Sequence, residues 1–353
     1  MKETVKRRDF IKSMSLATAA CTTGMGSVIL SSCYTKTPEI VNKRDAVFGL
    51  LTDNKPQDYY PAGFFIHFGK DYNFGDAAIN RHLEYFKFID MDFIKIQYEL
   101  TFPRLNSIRN PSDWLNMPLY KKDFYEPQLK IVKGLVDEGK SMAPVIITLY
   151  SPFMCAGHSI TDELLTEHLK EDPEMVKKGL DIITESVMIF VKECVKLGVD
   201  GFLTSSQGGE AFRSYDKSVF LDYIKPTDMR VMGEVNSACN CNILHVCDYA
   251  GGYDDLSPFL DYPGQIVNLD FKLGEKELRS AELYKMFGGR PIMGGMDKKG
   301  IITKGTEQEI QGEVSNVLGE APPKFILGAN CTIGTSNWEN IRIAVKAAHN
   351  YIA

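Results

Sequence analysis

At 353 residues and a formal net charge of −6, the chain is long for one domain but within the range of an α/β barrel. Charged residues make up 24% of it and form no long basic run, which argues against a nucleic-acid partner. A domain of this size does not need disulfides for stability, so the eight cysteines leave a metal-binding reading open.

Residues 1–32 read as an export leader. Lys6-Arg7-Arg8-Asp9-Phe10-Ile11-Lys12 fits a twin-arginine signal, and the stretch from Ser13 to Leu30 is too polar for a stable spanning helix. Leu30-Ser31-Ser32-Cys33 looks like a lipoprotein cleavage box, which makes Cys33 a lipid-bearing first residue. This predicts a periplasmic or cell-surface protein that meets the membrane only through an anchor on Cys33. The alternative is a cytoplasmic protein with a basic tail. The twin-arginine route carries folded proteins, so it suits a chain that collects a cofactor before export. The leader holds Lys2, Lys6, Arg7, Arg8 and Lys12 against Glu3 and Asp9, so the mature chain is more acidic than the whole. Residues 33–45 are polar and read as a tether, and residues 46–353 as one domain.

Within that domain, apolar runs alternate with helical patterns. Strand-like runs lie at Gly63–Phe68, Phe93–Tyr98, Met142–Leu149, Val199–Thr204, Asn242–Cys247, Gln265–Phe271, Arg290–Met296 and Lys324–Cys331. Their continuous apolar character suits parallel strands covered on both faces. Helical patterns follow them at Asp76–Ile89, Glu126–Glu138, Pro173–Leu197, Tyr215–Ser237 (broken near Pro226), Tyr253–Leu260, Glu275–Phe287, Thr306–Leu318 and Asn337–Tyr351. Thr306-x-x-Glu309 and Ser336-x-x-Glu339 read as capping boxes for the last two. Eight β-then-α units predict a single-domain (β/α)8 TIM barrel. A doubly wound sheet is the alternative, but no Gly-rich phosphate turn follows the first strand.

In such a barrel, chemistry sits at the C-terminal ends of the strands. Those ends carry His67, Glu99, Tyr150, Ser205-Ser206-Gln207, His245 with Cys247, Asp270, Asp297, and Asn330 with Cys331. Glu99, Tyr150, Gln207 and Asp270 are candidate catalytic residues, and His67 and Asp297 candidate cofactor contacts.

The sharpest candidates are His245, Cys247 and Cys331. Two residues apart on a strand, His245 and Cys247 share a face. With Cys331 from another strand end they make the ligand set of a catalytic zinc with one open position. Buried free cysteines beside a core histidine are the plain alternative, and a Cys247–Cys331 disulfide is another. Cys239-x-Cys241-x3-His245-x-Cys247 also permits a local structural zinc site, although Cys239 falls before the strand. Glu99, Glu210 or Asp270 are candidates for a fourth ligand or for orienting His245.

Several segments together resemble the uroporphyrinogen decarboxylase superfamily. They are Gly198-Val-Asp-Gly-Phe-Leu-Thr-Ser-Ser-Gln207, Ile243-Leu-His-Val-Cys247, Pro291-Ile-Met-Gly-Gly-Met-Asp297, Phe325-Ile-Leu-Gly-Ala-Asn-Cys331 and Asn337-Trp-Glu-Asn-Ile341. The resemblance implies a (β/α)8 barrel and two branches of function. Decarboxylases bind porphyrinogen carboxylates through N-terminal arginines and carry a histidine near the eighth strand. Here Pro61-Ala-Gly-Phe-Phe-Ile-His-Phe-Gly-Lys70 has no arginine, and Cys331 stands in place of the histidine. The other branch resembles methylcobalamin:thiol methyltransferases, whose zinc signature of H-x-C and a distant Cys falls on His245, Cys247 and Cys331. That branch implies zinc, a small-molecule thiol as acceptor and a corrinoid as methyl donor. No D-x-H-x-x-G corrinoid motif is present, so the corrinoid would arrive free or on a partner protein. A porphyrin decarboxylase and a non-catalytic tetrapyrrole-binding lipoprotein are the alternatives.

Overall fold

A computed structural model describes residues 41–52, 57–334 and 337–352. Eight strands form one parallel sheet: β1 (Ala62–Gly63), β2 (Ile94–Ile96), β3 (Val145–Tyr150), β4 (Gly201–Ser206), β5 (Ile243–Val246), β6 (Ile266–Leu269), β7 (Ile292–Met296) and β8 (Phe325–Ala329). Their order is β1-β8-β7-β6-β5-β4-β3-β2. Neighbours are successive in the chain, and only β1 and β8 join across the sequence. The result is an α/β fold built on a curled parallel sheet, consistent with the expected (β/α)8 barrel.

No ladder joins β1 to β2. Single ties bridge that seam instead. The Asp92 amide donates to the Ala62 carbonyl at 3.0 Å, and the Ala62 amide donates to the Asp92 carboxylate at 2.7 Å. Further up, the Gln97 side chain donates to the Ile66 carbonyl. Each strand sits inside the expected run or within two residues of its end. The paired segments are mostly shorter than those runs because the chain leaves the ladder to form the loops that carry the polar residues.

The helices depart further from expectation. Gly75–Ile89, Lys122–Gly139, Pro173–Leu197 and Glu307–Gly319 form as the periodicity predicts, the last with the Thr306–Glu309 capping box. Residues 215–237 break before Pro226: a π-turn at Phe220–Ile224 leads into a helix at Lys225–Ala238 that has Pro226 in its first turn. Residues 253–260 hold only a 3₁₀ turn at Ser257–Phe259. The expected helix from Glu275 starts at Ser280, because Lys272–Leu273 and Lys276–Glu277 pair as a hairpin around Gly274, whose φ is +57°. Two helices that the periodicity did not suggest, Pro152–Ser159 and Asp162–Glu171, follow β3. The final helix, Trp338–His349, is capped by the Asn337 side chain, and Ser336 lies outside the described residues.

A helix at Lys43–Thr52 covers the end of the expected tether. Arg44 grips Asp200 bidentately at 2.6 and 2.7 Å, so the chain is tied to the start of β4 from this point. The twin-arginine segment, the stretch to Leu30, Cys33 and the tether as far as residue 40 lie outside the described residues. Among the described residues no helix is long and apolar enough to cross a membrane.

Outer contacts fix which faces point inward. Ile94 packs so closely on Gly139 of the surrounding helix that a methyl there would collide with it. Ser206 donates to Asp228 of helix Lys225–Ala238 at 2.6 Å. Alternation then turns Lys95 and Ser205 inward. Tyr150, Ser205, His245 and Asn268 are register partners across β3 to β6 and form one inner row.

Candidate metal centre

His245 sits on β5, Cys247 one residue beyond it and Cys331 two residues beyond β8. Their potential ligand atoms all lie within 4.8 Å of one another, and His245 and Cys247 are each only 4% exposed. Cys331 Sγ is 3.5 Å from His245 Nε2. Tetrahedral ligation with Zn–S near 2.3 Å and Zn–N near 2.0 Å requires an S to N edge of about 3.5 Å. The residues present therefore fit zinc, and three of them leave its fourth position to another group. His245 Nδ1 is buried without a hydrogen-bond partner.

The two sulfurs are electrostatically unequal. The thiol of Cys247 is pushed up by its hydrogen bond to Cys331 and by burial. Cys331 is pulled down by the bond it accepts from Cys247 and by His245 and Lys298, against its own burial. The two sulfurs are thus pushed in opposite directions by the bond they share, and a bound dication would favour the thiolate form of both.

A polar brace holds the two strand ends together. Lys298, after β7, places Nζ 2.6 and 2.7 Å from the carboxylate oxygens of Asp248, which follows Cys247. Asn330, which precedes Cys331, accepts from the Lys298 amide at 2.9 Å and donates to Asp248 at 3.4 Å. Burial raises the Asp248 carboxyl, and the bond from Lys298 opposes it. For Lys298, burial acts downward but the Asp248 bond and then the charges of Cys331 and Asp248 win.

The other expected site residues divide. Glu99 lies three residues beyond β2, 2.8 Å from the exposed His67. Burial acts to raise the Glu99 carboxyl, but the bond and charge of His67 hold it below the ordinary range. Gln207 is buried beyond β4 with its Nε2 unpartnered. Tyr150 meets His158 edge-on at 4.8 Å, with its phenol pushed up by burial and then by Glu99 and Cys247. Asp270, beyond β6, is only partly buried and makes one long contact, accepting from the Lys272 amide at 3.4 Å. Asp297 is exposed and caps its own turn by accepting from the Lys299 amide at 2.9 Å. Glu210 is consumed by a buried pair with Arg213 at 2.5 Å and is no free ligand. Cys239 and Cys241 precede β5 at the far end of that strand from Cys247, and the group within ligand distance excludes them.

Sequence reasoning missed Asp248, Lys298 and Lys95. The first two had a signal: each directly follows a residue already singled out at a strand end. Lys95 had another, a lone lysine inside the apolar run Phe93–Tyr98.

Residues 93–351 match the sequence profile of a family described as uroporphyrinogen decarboxylase (URO-D). The chain belongs to the uroporphyrinogen decarboxylase family. A curated relative, the methylated-thiol–coenzyme M methyltransferase of Methanosarcina mazei, is 23% identical over 241 residues. The match covers 62% of this chain and 58% of that protein, so it spans less than two thirds of the relative. Among solved structures, a methyltransferase from Methanosarcina mazei superposes with a TM-score of 0.65 at 13% identity, covering 87% of this chain and 98% of its own. That superposition carries the fold alone.

Proposed function

We propose that this uroporphyrinogen decarboxylase family protein is a zinc-dependent methyltransferase that moves a methyl group from a corrinoid to a small-molecule thiol. The observation that carries the reading is the convergence of His245, Cys247 and Cys331 at the strand ends with a tetrahedral S to N edge. These three residues would hold the metal. Zinc, when bound, supplies a substrate sulfur in its thiolate form at neutral pH. In this proposal the sulfur would attack the methyl carbon of the donor, forming the S–C bond as the methyl–cobalt bond gave up its electron pair to cobalt. His245, Cys247 and Cys331 serve as ligands and not as bases. The brace of Asp248, Lys298 and Asn330 fixes the spacing of the ligand loops. Glu99, Tyr150 and Gln207 supply the polar mouth through which a thiol enters. The corrinoid comes free or on a partner protein. In the same proposal the leader exports the chain, Cys33 anchors it, and the reaction takes place outside the cytoplasm.

Metal analysis of the purified protein tests this directly. About one zinc per chain is expected, lost in Cys331→Ala. Metal-free protein in which Cys247 and Cys331 both react fully with a thiol reagent would overturn the reading. A decarboxylase would instead form coproporphyrinogen in a direct assay. A binding lipoprotein would shift the spectrum of added cobalamin without methylating any thiol.

A further inference from the structure

Lys95 lies inside the barrel and takes no part in the chemistry described so far. Its neighbour Ile94 packs outward on Gly139, so the lysine stem points inward, and the residue is only 7% exposed. Its ammonium donates to the Gln97 side chain and lies 5.1 Å from the centre of the Phe65 ring. Among the described residues it has no carboxylate in salt-bridge contact: Glu99 of the same segment gives its carboxylate to His67. The charged and titratable groups that face it are Glu99 beyond β2, His82 from helix Gly75–Ile89, and Cys331 beyond β8. Burial pushes the ammonium down to about 7, while Glu99 and Cys331 act to keep its proton.

A buried cation without an ion-pair partner is costly, and this one lies where the chain runs on past Cys331: its partner Gln97 donates to the Ile66 carbonyl, and Ile66 bridges Ile333. Charge counting supplies a reason for it. Zinc with two thiolates and a neutral imidazole is neutral, so a third sulfur arriving as its anion leaves one negative charge in a low-dielectric interior. Methylation removes that charge, because a thioether is neutral. We propose that Lys95 is the counter-charge for an anionic substrate sulfur beside His245, Cys247 and Cys331, and that it favours the thiol over its methylated product. The inference rests on the proposed function. It makes Lys95 a positioning residue that acts through the field it sets, and product release follows from loss of the sulfur charge.

The experiment uses the full chain loaded with cobalt(II), whose sulfur-to-cobalt absorption reports thiol binding without turnover. The probes are 2-mercaptoethanol and its S-methyl thioether, titrated across pH on wild type, Lys95→Met, Lys95→Gln and Lys95→Arg. Cobalt stoichiometry stays the same in all four. At pH 7 the thiol binds about tenfold more weakly to the Met and Gln variants, and its pH midpoint rises by about one unit. Lys95→Arg restores both, and thioether binding does not change. An unchanged thiol midpoint in Lys95→Met overturns the inference and leaves the function standing, as does an equal loss for thiol and thioether. A wild type that takes up no cobalt, or takes it up and ignores the thiol, overturns the proposed function and this inference with it.

Discussion

Replacing Lys95 by methionine should stabilise the metal-free protein at acidic pH and lose that effect as pH rises. The lysine is buried, and its ammonium is pushed from 10.5 to about 7 in the folded chain, first by desolvation. Between those values the unfolded chain binds more protons than the folded one, so wild-type stability rises with pH. At low pH the buried charge costs roughly 5 kcal/mol at face value, from about 1.4 kcal/mol per decade. Loss of the bond to Gln97 gives back about 1 kcal/mol. The net gain for Lys95→Met at pH 6 is therefore about 3 to 4 kcal/mol, and it shrinks by about 2.5 kcal/mol by pH 9. Urea unfolding of wild type and variant at pH 6 and pH 9, with metal removed, measures both numbers. A variant less stable than wild type at pH 6, or a difference equal at the two pH values, refutes the placement of a buried charge at this point.

Four further outcomes follow from the geometry. Cys247→Ser lowers zinc affinity by more than the ~100-fold typical of outer-shell changes, read by competition with a chelator. Lys298→Met strips Asp248 of its partner at side-chain exposures of 15% and 11%, costing about 2 kcal/mol in urea unfolding and lowering zinc affinity roughly tenfold to 100-fold. Arg213→Met leaves Glu210 buried and unpaired, so it costs roughly 3 to 5 kcal/mol yet leaves zinc stoichiometry unchanged in the folded fraction. Asp228 titrates in the opposite sense to Lys95. Burial raises its carboxyl from 3.8 to about 7, so the folded chain binds the extra proton and wild-type stability falls as pH rises from 4 to 7. Asp228→Asn flattens that slope in the same unfolding assay.

The repeating fold was legible because each parallel strand is buried on both faces and stands out as an apolar run. The ligand set was legible because His245 and Cys247 are two apart on one strand and Cys331 ends another. Of the helices after β3, Pro152–Ser159 was not legible because it is apolar around its surface and carries no clear amphipathic stripe, whereas Asp162–Glu171 buries Leu165 and Leu169 on one stripe behind a Thr161 cap and was overlooked. The hairpin at Lys272–Glu277 was hidden by charged residues that fit a helix surface equally well. Asp297 was legible as a strand-end carboxylate, but its bond to the Lys299 amide within its own turn was not. Lys95 could be read as an oddity but not as a site residue, since its meaning depends on which way the strand faces.

That dependence on facing also explains why the brace matters. His245 and Cys247 come from β5 and Cys331 from β8, with β6 and β7 between them in the sheet. Sheet register alone does not hold two loops beyond the ladder to within the few tenths of an ångström that tetrahedral ligation tolerates. The Lys298–Asp248 pair and Asn330 tie the residue after Cys247 to the residue before Cys331 through the loop that follows β7. The same lysine places a positive charge beside both sulfurs. Position and charge are therefore set by one side chain, and a Lys298→Arg variant separates them. It keeps the charge but changes the reach and planar geometry of the head group. If spacing dominates, zinc affinity in Lys298→Arg falls nearly as far as in Lys298→Met. If charge dominates, it stays near wild type.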